Sequence, residues 1–268
     1  GYEPVFVDID KEDWSISLNK KAINLIKGGR VGAVLCGNPF GIPADLDKLI
    51  RIVQRYNIPL LIDSAAGMGS VYPDGLPMGH KGSAEVFSLH ATKTFGIGEG
   101  GLVITKNRKL AEKIQKMKNF GFDKNHLVQI LGLNAKMSEF ASIIALQVLK
   151  NYKKTLEQKR GLMKHYLKNL PPNIKTHKNI LLSAGMFFPI VFSNKYLRDQ
   201  KEKELSKIGI QTRRYYYPPL HQHPAFKAIG AVDNLTNTDN VCGRILALPL
   251  HLDLTFDDIK TITRVINR

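Results

Sequence analysis

The sequence predicts an α/β protein in which a mostly parallel sheet is layered with helices and followed by a smaller C-terminal α/β domain. Three observations carry this. Short apolar runs alternate with segments of helical period through the first half, the pattern of β-α-β units. A long basic helical stretch then leaves that region and stops at Pro171 and Pro172. Beyond the prolines, a shorter set of strand and helix signals closes the chain. The 268 residues suffice for a large and a smaller core, and 43% hydrophobic with 23% charged residues excludes a disordered or fibrous chain.

Taken in order, strands are expected at 4–9, 31–36, 59–62, 84–89 and 101–105. Between the second and third, Leu46, Leu49, Ile50 and Val53 fall on one helical face; after the fifth, Leu110, Ile114 and Met117 do the same ahead of a stop at Gly121. Such a sheet is expected to be covered on both faces. From Met137 the helical pattern of Phe140, Ile143, Ile144 and Leu149 runs into NYKKTLEQKRGLMKHYLKNL, one long helix. A strand at 186–192, a polar helix at 196–207 and a Pro-rich loop at 217–224 follow. The last helix opens with Thr255 and Asp258 at capping-box spacing and aligns Ile259, Ile262 and Ile266. The division is expected near residue 150, giving a large domain at 1–150, then a linking helix and small domain at 151–268.

The net charge of +16 would suit nucleic acid, an anionic membrane or small polyanions. Its lysines, however, are spread along helices (Lys109, Lys113, Lys116 and Lys118; Lys201, Lys203 and Lys207) and no nucleic-acid module is recognisable, so nucleic acid is not an expected partner. The longest apolar stretch, 180–192, is too short to span a bilayer and is broken by Ser183, Gly185 and Pro189, so no membrane association is expected. The opening GYEPVFVDID lacks the basic and apolar regions of a secretory signal, which makes a cytoplasmic location the default. Cys36 and Cys242 lie far apart without a CxxC partner, so they are expected to be reduced thiols, with no metal site.

In an open parallel sheet, ligands bind beyond the carboxyl ends of the strands. Two such places stand out: Asp63, at the end of the apolar run in LLIDSAAGMGS, and Ser88, His90 and Lys93 in VFSLHATKTFGIGEGG. Singly, Asp63 could be a turn former, Lys93 a surface lysine and His90 a loop histidine. The glycines at 96, 98, 100 and 101 lack the Lys-Ser/Thr ending of a P-loop. Together, Asp63, Ser88 and Lys93 meet the demands of pyridoxal phosphate: an amine for a Schiff base, a carboxylate that keeps the pyridinium nitrogen protonated, and a small polar group for the phosphate.

The chain also resembles the DegT and StrS family of sugar aminotransferases, which have the aspartate aminotransferase fold. The resemblance rests on PVFVDID at 4–10, GNPFGIPADLDKL at 37–49, LLIDSAA at 60–66, FSLHATKTFGIGEGGLV at 87–103, GLNAKMSE at 132–139 and TRRYYYPPLHQHPAF at 212–226, in the family's order, with ALPLH at 247–251 a weaker match. It implies that Lys93 is the Schiff-base lysine, Asp63 the pyridinium partner and Ser88 a phosphate ligand. Asn134 resembles the asparagine that reaches the phosphate in a neighbouring subunit, which implies a homodimer with shared active sites. Tyr217 and His221 resemble residues near the sugar nucleotide. The implied reaction moves an amino group from an amino-acid donor, glutamate, to a keto sugar nucleotide in amino-sugar synthesis.

Three departures from the family's pattern are visible. Ala66 stands where a glutamine or histidine commonly touches the cofactor ring, and Lys136 where arginine is common. Family members also begin with a further segment that carries a Gly-Ser/Thr phosphate-binding turn and a strand of the main sheet. This chain opens at what resembles a later strand, so its sheet is expected to be incomplete at the N-terminal side, beside the strand ending at Asp8. These departures motivate a second reading, a truncated non-catalytic relative that retains the fold.

Overall fold

The computed structural model describes residues 1–268. Its first strand, β1 (Val5–Phe6), is only two residues long. Helix α1 (Lys20–Lys27) starts where the Asn19 side chain accepts from the Ala22 amide. Then come β2 (Val34–Gly37), α2 (Asp47–Arg55), β3 (Leu60–Asp63), β4 (Ala84–Ser88) and β5 (Gly101–Ile104). The main sheet has the order β2-β3-β4-β5, parallel except for the last pair. Side chains alternate across it, so Val34, Cys36, Leu60, Ile62 and Phe87 point to one face. There they form one core with Ile26 of α1 and Leu49 and Val53 of α2, each buried aliphatic side chain contributing about 1.5–3 kcal/mol.

The other face departs from expectation. Leu35, Leu61, Val86 and Val103 alternate onto it and remain exposed. Helix α3 (Arg108–Met117) buries none of its residues, so Leu110, Ile114 and Met117 form an apolar stripe without covering the sheet. The expected strand at 4–9 is also corrected. Only Val5 and Phe6 are extended, and they pair in parallel with Gly230 and Ala231, late in the chain, instead of joining the main sheet.

Helix α4 (Glu139–Asn169) opens on a Ser138 cap, runs unbroken through residue 150 for 31 residues, and stops just before Pro171. Its first half lays Ala141, Ala145, Val148 and Tyr152 on Leu89, Phe95 and Ile97, the segment that follows β4. Its second half enters a separate core. The elements that follow are β6 (Lys175–Thr176), β7 (Phe188–Val191), α5 (Lys195–Lys207), β8 (Gly230–Ala231), α6 (Thr236–Arg244), β9 (Ile245–Leu248) and α7 (Phe256–Asn267), and all but β6 and β8 contribute buried residues to that core. Strands β6, β7 and β9 form an antiparallel sheet, and every residue of β7 and β9 is buried. The Thr255/Asp258 capping box of α7 forms as its spacing requires.

Residues from the front of the chain belong to this second core: Trp14, Phe40 and Ile42 pack with Phe188 and Leu250. Asp8 explains how the first segment is held there. Its carboxylate accepts from the amides of Asn237 and Thr238 and from the Thr238 hydroxyl, at 2.7–2.9 Å, supplying the cap that Leu235 cannot give α6. No helix is long and apolar enough to cross a membrane.

Candidate active site

The carboxyl ends of β2, β3 and β4 point the same way, and the loops that leave them meet. After β2, Phe40 and Gly41 both take left-handed backbone angles, with φ of 60° and 70°. A Cβ on Gly41 would lie 2.1 Å from the Ala66 carbonyl oxygen, so only glycine lets this loop close on the one after β3. The loop after β4 joins them through the Ser88 amide, which donates to the Ala65 carbonyl at 3.1 Å. The crevice expected from an open parallel sheet therefore has its floor at residues 63–66 and 88–93.

Three of the residues singled out by sequence line this place. Asp63 is the last residue of β3, on the same sheet face as Leu61 and Val86; one carboxylate oxygen accepts from the Ala65 amide at 2.9 Å and the other has no partner. The turn-forming role of Asp63 is thus real, and it leaves one oxygen free. Ser88, the last residue of β4, accepts from the His90 amide at 3.3 Å, and its own proton has no acceptor. Lys93 sits in the turn fixed by its amide to the His90 carbonyl at 2.9 Å; its ammonium makes no salt bridge or hydrogen bond. Beside it, the Thr94 hydroxyl is buried without a partner. The His90 ring faces Thr92, with its other nitrogen 3.6 Å from Glu99.

Tyr216, not singled out from sequence, packs on Phe40 of the loop after β2. Its ring lies 5.4 Å from that of Phe40, and its hydroxyl is pushed up by partial desolvation and then by the charges of Tyr215 and Asp63. The adjacent Tyr217, singled out from sequence, is held on α5 instead: Arg198 stands 5.3 Å and Lys195 5.6 Å from its ring. Of the three consecutive tyrosines, Tyr215 packs against the second core while Tyr216 and Tyr217 stay exposed, and nothing local in the sequence separates them. The loop carrying them is anchored by Arg214, which pairs with Glu202 and with Asp199, and by the Arg213–Ala247 backbone pair.

The remaining two lie elsewhere. His221 pairs with Asp239 at 3.1 Å and meets Phe6 edge-on, at the rim of a cavity of about 530 Å³ that Lys227 and Asp233 also line. No contact joins it to Asp63, Ser88 or Lys93. Asn134 lies in a run, 131–140, in which every residue is exposed; its side-chain oxygen accepts from Lys136 at 2.6 Å, and that ammonium also lies 4.1 Å from the Phe120 ring.

Residues 1–267 match the DegT/DnrJ/EryC1/StrS aminotransferase family. The chain belongs to that family. A protein of Mycobacterium tuberculosis strain H37Rv is 29% identical over 99% of this chain and 66% of its own length. The dTDP-4-amino-4,6-dideoxy-D-glucose transaminase of Shigella dysenteriae is 29% identical over 99% of this chain and 73% of its own. Among solved structures, a DegT DnrJ EryC1 StrS aminotransferase from Brucella abortus superposes with a TM-score of 0.91 at 26% identity, over 100% of this chain and 73% of that one. The architecture is therefore the mostly parallel, three-layer α/β arrangement of these aminotransferases. The chain spans 66% to 73% of the length of these relatives.

Proposed function

We propose that the protein is a pyridoxal-phosphate-dependent aminotransferase that moves an amino group from an amino-acid donor, glutamate, to the keto carbon of a sugar nucleotide. The observation that carries this reading is the placement of Asp63 and Ser88 at the carboxyl ends of two adjacent parallel strands, with Lys93 in the loop that follows the second, each with an unused polar group. A carboxylate, a hydroxyl and a primary amine are the donor set that this cofactor requires. The Shigella relative, named for its action on a dTDP-linked amino sugar, supports a sugar nucleotide as the acceptor.

When bound, pyridoxal phosphate supplies an electron sink for the carbon that gains or loses the amine. The free oxygen of Asp63 would hold the ring nitrogen and keep a proton on it. The Ser88 hydroxyl would donate to the phosphate, for which the neighbouring backbone leaves it available. The Lys93 amine would tether the cofactor and, once displaced by substrate, carry a proton between the substrate carbon and the cofactor's C4′ carbon. The exposed run bearing Asn134 supports a homodimer in which that side chain serves the partner's site.

The test uses the full-length protein with added pyridoxal phosphate and measures amine transfer from glutamate to a panel of keto sugar nucleotides. Transfer to at least one of them, abolished in Lys93→Ala, is the expected result. A protein that folds and takes up no cofactor would favour the non-catalytic reading.

A further inference from the structure

Behind the acid of the candidate site lies a buried polar cluster that the proposed chemistry does not use. Glu85 on β4 is completely buried. One of its oxygens accepts from the Ser64 hydroxyl at 2.5 Å and from the Tyr72 hydroxyl at 2.8 Å; the other accepts from the Gly79 amide at 2.6 Å. Ser64, itself fully buried, immediately follows Asp63. The cluster is closed by Asn38, from the loop after β2, whose amide donates to Ser64 at 2.8 Å and to Tyr72 at 3.3 Å.

The protons of this cluster can be placed by counting. The Ala44 amide donates to the Asn38 side-chain oxygen at 3.0 Å, which fixes the orientation of that amide group. Both Asn38 amide hydrogens are then directed at the two hydroxyls, so both hydroxyl protons are left for Glu85. With the Gly79 N–H, Glu85 faces three donors, the environment of an ionised carboxylate. No cation compensates it. Lys81 lies 4.8 Å from the Tyr72 ring, but its ammonium is bonded to Asp47 and Asp74 at 2.6 and 2.7 Å. The Tyr72 hydroxyl is pushed up by burial and then by the Glu85 charge beside it. A buried ion without a counter-ion is costly, and a neutral side chain would fill the space at lower cost.

We propose that Glu85 is a positioning residue for Asp63: through Ser64 it fixes the turn that carries the acid, and its charge adds to the negative field that favours a cationic partner at that acid. This rests on the cofactor reading given above. In the sheet register Asp63 pairs with Val86, so Glu85 is one residue away on the neighbouring strand and points to the opposite, covered face. It cannot touch a ligand that Asp63 holds, and it acts through Ser64 and through space.

The test compares the native full-length protein with Glu85→Gln, Ser64→Ala, Asp63→Asn and the Glu85→Gln/Asp63→Asn pair. The dissociation constant for pyridoxal phosphate is read by fluorescence, the pH dependence of the bound cofactor's visible absorbance by titration, and folding by thermal melting of the apoprotein. Glu85→Gln is expected to weaken cofactor binding about tenfold and to shift the absorbance titration to lower pH, as a weaker negative field predicts. Ser64→Ala is expected to weaken binding without the full titration shift, because the Glu85 charge remains. In the Asp63→Asn background, Glu85→Gln is expected to add little, the non-additivity of two residues acting through one contact. Unchanged binding and titration in Glu85→Gln, or an equal loss with and without Asp63, would overturn the inference while leaving the cofactor reading intact. Native protein that takes up no pyridoxal phosphate would overturn both. If Glu85→Gln does not fold, Ser64→Ala decides: native-like binding would overturn the inference.

Discussion

Asp63 divides its carboxylate between a structural contact and the proposed chemistry. One oxygen closes the turn onto the Ala65 amide, and the other is left free on the open side of the sheet. Asp63→Asn keeps the turn-forming oxygen and removes the charge, so turnover is expected to fall on the order of a hundredfold while cofactor occupancy changes much less. Equal turnover in the two proteins would leave Asp63 with the turn alone. The placing of Asp63 and Ser88 at strand ends, with Lys93 in the motif that follows, was legible in sequence because strand ends and short motifs are local features. The contacts of Tyr216 and Glu85 were not, because they reach partners 176 positions away in the case of Phe40 and 21 away in the case of Ser64, brought close only by the fold.

Elements were legible where the apolar period is strong, as in α2 and α7, and at capped ends such as Thr255. The segment 4–9 misled because its apolar run reads as a strand of the main sheet, whereas Asp8 binds it to α6 on the far side of the chain. Asp8→Ala should therefore lower stability by about 1–2 kcal/mol, the usual value of a helix cap, seen as a lower denaturation midpoint; no change would mean that α6 is capped by water. We propose α4 as the joint between the large unit and the small one. His177 gives this part of the molecule a pH dependence. Its Nε2 donates to the Asp13 carbonyl at 2.8 Å and its Nδ1 accepts from the Asn179 amide at 3.0 Å, which requires a neutral ring. Burial pushes its pKa down. Folded protein thus holds the neutral form to lower pH than unfolded chain does, and stability is retained above about pH 6.5 and declines as the pH falls below it. Melting temperatures at pH 7.5 and 5.5 should differ, and His177→Gln should flatten the difference; an unchanged slope would contradict the assignment.

At the scale of the whole molecule, the sheet's two faces are unequal. Leu35 is 70% exposed on the face that ends in Asp63, and α4 exposes Phe140 at 82% and Leu146 at 64%. Apolar surface of this extent is characteristic of an interface. Residues 1–268 alone are expected to run on sizing columns well above the 30.0 kDa of one chain, and Leu35→Ser with Phe140→Ser should shift them toward it; a monomeric native chain would contradict this. The departure from the family's pattern at the front of the chain gave reason to expect uncovered apolar surface, but the strand period, which implies cover on both sides, could not say which face would be bare, because period alone does not say what lies opposite. The central claim, that Lys93 carries pyridoxal phosphate, has a direct test. The full-length protein is incubated with the cofactor and reduced with borohydride, and its peptides are mapped by mass spectrometry. The account predicts a stoichiometric pyridoxyl group on Lys93, and a label on any other lysine, or none, would contradict it.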